Sequence, residues 1–455
     1  MNNNPSKVTP RILSGFMELL PADQMLFNGM LGVIQKSYER FGFIPLDTPV
    51  IELAEVLLAK AGGETEKQIY RFTKGDSDLA LRFDLTVPLA RYVAQHYPDL
   101  AFPFRRYHIG KVFRGERPQR GRFREFYQCD IDIIGDGALS LLNDAEIPSV
   151  IYATFTALGF SRFTIKINNR KILNGFFESL GLASQAADIL RSVDRLEKAG
   201  QEAVQQELAG LGAPPNAARE VLAFIGLTGD TAAILSQLKQ MQISNGTFHT
   251  GVDELEKVIS YVSALGVPGQ NYAIDLTIAR GLDYYTGTVY ETVLNDYPGI
   301  GSVCSGGRYD DLAGYYTNKQ LPGVGISIGL TRLFYQLREA GIITPKSATP
   351  AIVLVIPQTS DLRVPLQAAT ELREGGIPTA VYFDDAKLKK KVTYASRLGI
   401  PFIIVIGDDE VAGGYVSLKD MSTGQTSNVS TKEAISLIRA KESANNGSST
   451  DPVSA

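Results

Sequence analysis

Two strand-like segments, Phe104–Phe113 and Phe123–Ile134, flank a short stretch with Pro118 and Gly121 in its middle. This arrangement limits the fold more than any other feature of the chain. Alternating Phe, Tyr and Ile in the second segment predict one long strand or a strand pair with a face in a core. Proline and glycine are turn residues, so the two segments read as an antiparallel hairpin, which needs only a short connection. Its turn region carries five arginines (Arg114, Arg117, Arg120, Arg122 and Arg124) within eleven positions. Solvation of a surface hairpin would account for the charge but not for the exclusion of lysine. A guanidinium stays charged and pairs with phosphate oxygens in a planar, bidentate way. The hairpin is therefore expected to aim several guanidinium groups at one phosphate site, with Phe126 at its base to stack under a purine.

At 455 residues the chain is long enough for two or three domains. Helical spacing marks residues 22–41, with Met25, Leu26, Met30, Val33, Ile34 and Tyr38 on one side. Residues 43–51 read as a strand that Pro45 and Pro49 interrupt. The pattern stays strand-rich to about residue 150, with short strands at 68–72 and 80–83. Residues 170–265 are rich in Ala, Leu, Glu and Gln, and read as an inserted helical subdomain broken at 212–215 and 228–230. Strands return at 272–276 and 288–294, before a glycine-rich stretch at 299–307 and a helix from Leu330.

After residues 345–350, apolar strands at 352–356, 379–383 and 402–406 alternate with helices at 362–374, 386–398 and 431–441. Continuous apolar strands between amphipathic helices predict a small parallel α/β domain. The expected division is therefore 1–345, with 170–265 inserted, then 346–442, then a disordered Ser/Asn/Gly-rich tail over 443–455.

Composition narrows the function. The longest apolar runs, 351–356 and 402–406, are strand-sized, and Met1-Asn2-Asn3-Asn4-Pro5 lacks the basic and apolar regions of a secretory signal. The expectation is a cytoplasmic protein without a membrane partner. Cys129 and Cys304 are far apart in sequence, and His96, His108 and His249 are scattered, which predicts free thiols and no protein-held metal. The net charge of −4 makes no case for nucleic acid taken globally. Local fields matter more, and residues 114–124 and 387–391 are locally basic.

The segment Phe113–Gln128 resembles motif 2 of class II aminoacyl-tRNA synthetases in its histidyl form. The resemblance implies an ATP site in which Arg114 holds the α-phosphate, Glu116 reads the adenine edge, Phe126 stacks on the ring and Arg122 assists. It places Arg117 and Gln119 on the loop that meets the acceptor end of the tRNA. Residues 323–332 resemble motif 3, with Arg332 facing the γ-phosphate and glycines that allow close approach of the nucleotide. Thr331 stands where many relatives carry Glu. Residues 41–49 resemble motif 1, which builds a dimer interface in that class, so a homodimer is implied.

Residues 278–291 and 305–312 resemble the two signatures of histidyl-tRNA synthetases, with Ser305 where the commoner form has Gly. Neutral imidazole carries one N–H donor and one acceptor, so its site needs an acid and a hydroxyl. By this resemblance Asp132 accepts the imidazole N–H, and Tyr285, beside Tyr284, meets the other nitrogen. Asp84 and Thr86, with Gln128, hold the α-ammonium group, Leu85 is among the histidine-binding residues, and Arg280 joins Arg114 on the α-phosphate and the substrate. Asp occupies both acidic positions where many bacterial relatives use Glu. Buried hydrogen-bonding groups reject analogues that lack the matching atoms, so no editing domain is expected.

The implied reaction is attack of the histidine carboxylate on the ATP α-phosphate, then transfer to histidine tRNA. The nucleophile is already ionised, so positioning and charge stabilisation carry the step, with Mg²⁺ on the β- and γ-phosphates. The implied fold is an α+β class II catalytic domain, an antiparallel sheet flanked by helices with a helical insertion, followed by an α/β anticodon-binding domain. A regulatory subunit of ATP phosphoribosyltransferase would share the catalytic fold, but it lacks the C-terminal domain and the catalytic arginines that this chain retains.

Overall fold

The computed structural model describes residues 8–59, 64–117, 121–193, 200–211, 215–278 and 285–447. The chain divides into two compact units, one formed by residues up to Met17 with Val33–Leu337, the other by Glu18–Gly32 with residues from Arg338. The division falls ahead of the expected boundary at residue 345.

Strands of the first unit are β1 (Ile44–Pro45), β2 (Ile51–Leu53), β3 (Arg71–Lys74), β4 (Ser77–Leu81), β5 (Phe104–Phe113), β6 (Glu125–Ile134), β7 (Phe163–Asn169), β8 (Tyr272–Ile274), β9 (Thr288–Leu294), β10 (Ser302–Tyr309) and β11 (Gly323–Gly329). Eight of them form one sheet in the order β1-β5-β6-β11-β10-β9-β7-β8. Pairing is antiparallel throughout except at the two edges, where β1 on β5 and β8 on β7 are parallel. β2, β4 and β3 form a separate three-stranded antiparallel sheet.

The hairpin expected around the arginines is the β5–β6 pair, running from Phe104 opposite Ile134 to Phe113 opposite Glu125. Of the two readings open for 123–134, one long strand is correct. Its odd positions Cys129, Ile131 and Ile133 are fully buried, and Tyr38 Oη donates to the Cys129 carbonyl at 2.9 Å. Its even positions Gln128, Asp130 and Asp132 lie on the opposite face, as a period of two requires, and are also nearly buried. A strand with polar residues buried on one face and apolar ones on the other is the first structural sign of a site.

Three expectations need correction here. The strand at 43–51 is two strands in different sheets, because Pro45 and Pro49 cannot sustain a ladder between them. Gln68 ends a short helix, Glu64–Gln68, so the strand expected from it starts only at Arg71. A helix over Leu142–Ala157 stands in the stretch read as strand-rich. It buries Ala145, Ile147, Pro148, Val150, Ile151 and Phe155, and no position from Asn143 to Phe155 is exposed, which leaves little helical periodicity to read.

The described residues of 170–265 are mostly helical as expected, from Arg170–Ser179 to Gly246–Ala264. These two helices pack on each other, and the second also packs on Leu142–Ala157. Phe176 and Phe224 stack at 4.0 Å and 13°, tying an inner helix to the pair.

The second unit has β12 (Val353–Gln358), β13 (Thr379–Val381), β14 (Phe402–Gly407), β15 (Val416–Asp420) and β16 (Thr426–Val429), ordered β13-β12-β14-β15-β16. The first three are parallel, but β15 and β16 are antiparallel, so the sheet is mixed rather than parallel. Gly414 and Gly424, with φ of 67° and 74°, reverse the chain tightly before and after β15. Val353, Val355 and Ile404 pack with Ala369, Leu372 and Ile438. Leu354, Ile356 and Ile403 pack on the other face with Ala395. Helices on both faces explain the unbroken apolar strands. The last helix continues to Gly447 instead of ending near Lys441. Ala440, Lys441, Glu442 and Ala444 are good helix formers, so the start of the expected tail is ordered. Residues 448–455 lie outside the described set.

Candidate active site

A cavity of about 390 Å³ opens over the polar face of β6. Gln128, Asp130 and Asp132 form its floor, flanked by Ser327 and Gly325 of β11, directly across from Asp130 and Asp132. On the other side Arg106 of β5 is the register partner of Asp132.

Asp132 is gripped twice. Arg106 Nη2 lies 2.5 Å from one carboxylate oxygen, and Tyr309 Oη donates to the other at 2.7 Å. Gln128 Nε2 donates to Ser327 Oγ at 2.7 Å. Gln128 Oε1 and Asp130 Oδ1 are buried acceptors that no donor among the described residues satisfies. Such atoms are rare in native proteins and call for a ligand or water. Asp84, at the mouth of the helix Thr86–Gln95, accepts from the backbone N–H of Thr86 at 3.1 Å and Val87 at 2.9 Å. Burial raises the carboxyl pKa values of Asp84 and Asp132, with Arg106 and the hydrogen bonds pulling the other way. Asp130 is pushed to about 7, by burial first and by Asp132 as well. Three carboxylates around one buried guanidinium make this end of the cavity an acceptor-rich site for N–H groups, an ammonium above all.

The other end is cationic. The Arg114 guanidinium sits 4.3 Å from the Phe83 ring and 5.1 Å from that of Phe126, and its Nε donates to the Phe83 carbonyl at 3.2 Å. Arg122 and Arg332 line the same wall. Arg122 Nη1 is 3.7 Å from Glu116, itself a lining residue, and Arg332 donates to the Ile300 carbonyl at 3.1 Å. Not every arginine of the hairpin converges. Arg124 turns back to donate to the carbonyls of Glu116 and Ser14, and Arg117 is exposed off the cavity wall. Residues 118–120, including Gln119, lie outside the described set.

The other expected residues sort as follows. Tyr285 and Thr86 line the cavity. Leu85 does not: its side chain is fully buried, and only its carbonyl takes part, accepting from Arg106 at 3.4 Å. Arg280 and Tyr284 lie outside the described residues. The glycines of 323–332 do not all serve the nucleotide. A Cβ on Gly323 would lie 2.4 Å from the Tyr309 ring, and one on Gly325 would lie 2.3 Å from Asp132 Oδ1. These two make room for protein side chains, and only Gly329, with nothing within 4 Å, faces open space on the cavity wall. Thr331 turns to β6, where its hydroxyl accepts from the Tyr127 N–H at 2.8 Å.

The family model for histidyl-tRNA synthetase matches residues 15–333. The chain belongs to the histidyl-tRNA synthetase family. The anticodon-binding domain model matches residues 352–441. A histidine–tRNA ligase of Clostridium tetani is 60% identical over 95% of this chain and 98% of its own length. One from Xanthomonas axonopodis pv. citri is 50% identical over 95% and 96%. The crystal structure of histidyl-tRNA synthetase from Nostoc sp. PCC 7120 superposes with a TM-score of 0.89 at 42% identity, covering 96% of this chain and all of that one. The eight-stranded sheet is thus a class II catalytic domain, and the mixed sheet belongs to an anticodon-binding domain. A Bacillus halodurans C protein described as an ATP phosphoribosyltransferase regulatory subunit/histidyl-tRNA synthetase shares the fold alone, with a TM-score of 0.72 at 20% identity.

Arg106, Asp130, Tyr309 and Ser327 were missed as site residues. Asp130 was within reach of sequence reasoning, since alternation along 128–132 puts it between two chosen residues. Tyr309 stood inside the 305–312 signature. Arg106 and Ser327 needed the cross-strand register. Arg308 of the same signature is structural: it pairs with buried Asp144, Nε to Oδ1 at 2.9 Å.

Proposed function

We propose that this chain activates L-histidine with ATP and transfers it to the 3′ end of histidine tRNA. A carboxylate oxygen of histidine bonds to the α-phosphorus, the bond to pyrophosphate breaks, and histidyl-adenylate results. The observation that carries this reading is the polarity of one cavity, whose acceptor-rich floor at Gln128, Asp130 and Asp132 meets an arginine wall at Arg114, Arg122 and Arg332. Asp132, fixed by Arg106 and Tyr309, accepts the imidazole N–H, and Tyr285 serves the second nitrogen. Asp84, Thr86 and Gln128 take the α-ammonium. Glu116 and Phe126 take the adenine, and Arg114 with Arg280 stabilises charge at the α-phosphate.

Mg²⁺ belongs to this reading as part of the nucleotide substrate. Among the described residues no group of three or more His, Cys, Asp or Glu is placed to hold a metal, so the phosphate oxygens carry the ion. A homodimer is supported by exposed Ile44, Val50, Ile51 and Leu53 around the edge strand β1. Arg117 and Gln119 remain assigned to the acceptor end of the tRNA. A cytoplasmic location is part of the same reading, and no helix among the described residues is long and apolar enough to cross a membrane.

Histidine-dependent ATP–pyrophosphate exchange, followed by charging of histidine tRNA, tests the proposal. Both should be present in the full chain, and absence of exchange would overturn it. Arg280→Ala should lose most exchange while histidine binding weakens less; near-wild-type exchange would remove Arg280 from the mechanism.

A further inference from the structure

Asp130 lies on the cavity floor between Gln128 and Asp132 and is 2% exposed. Its Oδ1 has no donor among the described residues. An ionised carboxylate is costly to bury without partners, and the elements packed around Asp130 do not supply a cation. On β5 its register partner is His108, fully inside the protein. Burial first, then Arg106 and Arg82, hold the His108 pKa at about 3, so the ring is neutral. His108 Nε2 lies 2.9 Å from Asp47 Oδ1. A carboxylate there places the one ring proton on Nε2 and makes Nδ1 an acceptor, unable to serve Asp130. Arg82 donates through Nε to the Lys111 carbonyl at 2.8 Å and through Nη1 to the Thr48 carbonyl at 2.6 Å. Arg106 is paired with Asp132. Ser327 of β11 gives Asp130 a hydrogen bond but no charge. The other ionisable neighbours are Asp84, Tyr309 and Cys304, with Tyr38 and Cys129 on the far face. All are acids whose pKa values burial raises.

The floor is therefore short of positive charge. Neutral imidazole brings only a dipolar N–H, and Asp132 takes it. The α-ammonium brings a full charge and three donors. Side chains two positions apart on a strand are about 6–7 Å apart, so Asp130 stands between the group that meets the ring and the group that meets the backbone end of the amino acid.

We propose that Asp130 Oδ1 accepts one N–H of the histidine α-ammonium group and makes the site selective for a charged α-amino group. Gln128 Oε1, the other open acceptor of the floor, and Asp84 take the remaining two, and the Thr86 hydroxyl, both donor and acceptor, completes the ring. The Asp130 carboxyl is pushed to about 7, chiefly by burial. Ammonium favours its ionised form, so near neutrality histidine binding displaces a proton from it. The inference rests on the proposed histidine-activating function and deepens it by naming the group that reads the α-amino charge.

The test compares histidine with 3-(imidazol-4-yl)propionate, which is histidine without its α-amino group, by calorimetric titration of the full chain. Each Kd is corrected for the ligand's own fraction of neutral ring. With the wild-type chain the histidine Kd should fall about tenfold from pH 6 to pH 8, as a carboxyl near 7 ionises, and the des-amino ligand should show no such gain. Asp130→Asn cannot ionise. Its histidine Kd should rise about tenfold at pH 8, the scale of a charge-assisted bond replaced by a neutral one, and should lose its pH dependence. Its Kd for the des-amino ligand should be unchanged. A flat histidine profile in the wild-type chain, or an Asp130→Asn variant that weakens both ligands equally, would overturn the assignment. Failure of the wild-type chain to bind histidine at all would instead sink the functional reading on which it rests.

Discussion

Arg106 and Asp132 form a salt bridge of 2.5 Å in which the arginine side chain is fully buried and that of the aspartate is 5% exposed. They are register partners on β5 and β6, so the pair is set by the hairpin itself. Even with this partner, burial leaves the Asp132 pKa raised. Desolvation outweighs the attraction, as is common for ion pairs taken out of water. Removing one member therefore strands a buried charge. Arg106→Met should lower the unfolding free energy by about 3–5 kcal/mol in urea titration at neutral pH. The double variant with Asp132→Leu should recover much of that stability yet stay unable to catalyse histidine-dependent exchange. A double variant no more stable than the single one would show that the pair is not the source of the loss.

Asp130 gives the site a pH dependence. Its carboxyl is pushed to about 7 in the folded protein, chiefly by burial, against about 3.9 in an unfolded chain. The folded state thus holds more protons than the unfolded one between about pH 4 and 7. The stability linked to this group is complete below about pH 4 and is lost as pH rises through about 7. Asp130→Asn cannot ionise, so its Tm should fall less than that of the wild type between pH 5 and pH 8. Parallel Tm curves for the two proteins would refute this.

Much of this architecture was legible in the residues. Continuous apolar strands gave the C-terminal unit, and alternation gave β5 and β6 with their ends nearly in place. What escaped shares a physical cause. The helix Leu142–Ala157 exposes no position from Asn143 to Phe155, so its amphipathic signal is weak. The pairing of Arg106 with Asp132 depends on the exact register of the hairpin, and that of Gln128 with Ser327 on which strands become neighbours, since β6 and β11 are separated by the whole helical insertion. Glycines show that space is needed but not for what. At Gly323 and Gly325 the space belongs to Tyr309 and Asp132 rather than to a nucleotide.

That distinction predicts opposite outcomes for two glycines of β11. A methyl on Gly325 would lie 2.3 Å from both Asp132 Oδ1 and the Ile131 carbonyl, one of them backbone. Gly325→Ala should cost roughly 1–3 kcal/mol of stability through forced strand displacement, and should raise KM for histidine at least about tenfold. Gly329→Ala meets nothing within 4 Å. It should keep its Tm and its KM for histidine, and any effect should appear in KM for ATP, because Gly329 lines the wall shared with Arg332. Thermal melts and exchange kinetics with each substrate varied in turn separate the two variants.

Arg114 offers the sharpest separation of charge from shape. Its guanidinium lies within 4.3 Å of the Phe83 ring and 5.1 Å of the Phe126 ring, and its Nε is committed to the Phe83 carbonyl. A planar group placed in this way keeps its orientation before the nucleotide arrives, so little ordering is left to the moment of reaction. Lysine keeps the positive charge but loses both the plane and the bidentate fork. Arg114→Lys should therefore reduce the exchange rate at saturating ATP and histidine by about 10²–10³, the scale of one lost preorganised donor at a transition state, with a much smaller change in KM for histidine. If the loss appeared in KM for ATP and not in kcat, Arg114 would act in ground-state binding and not in stabilising the reacting α-phosphate.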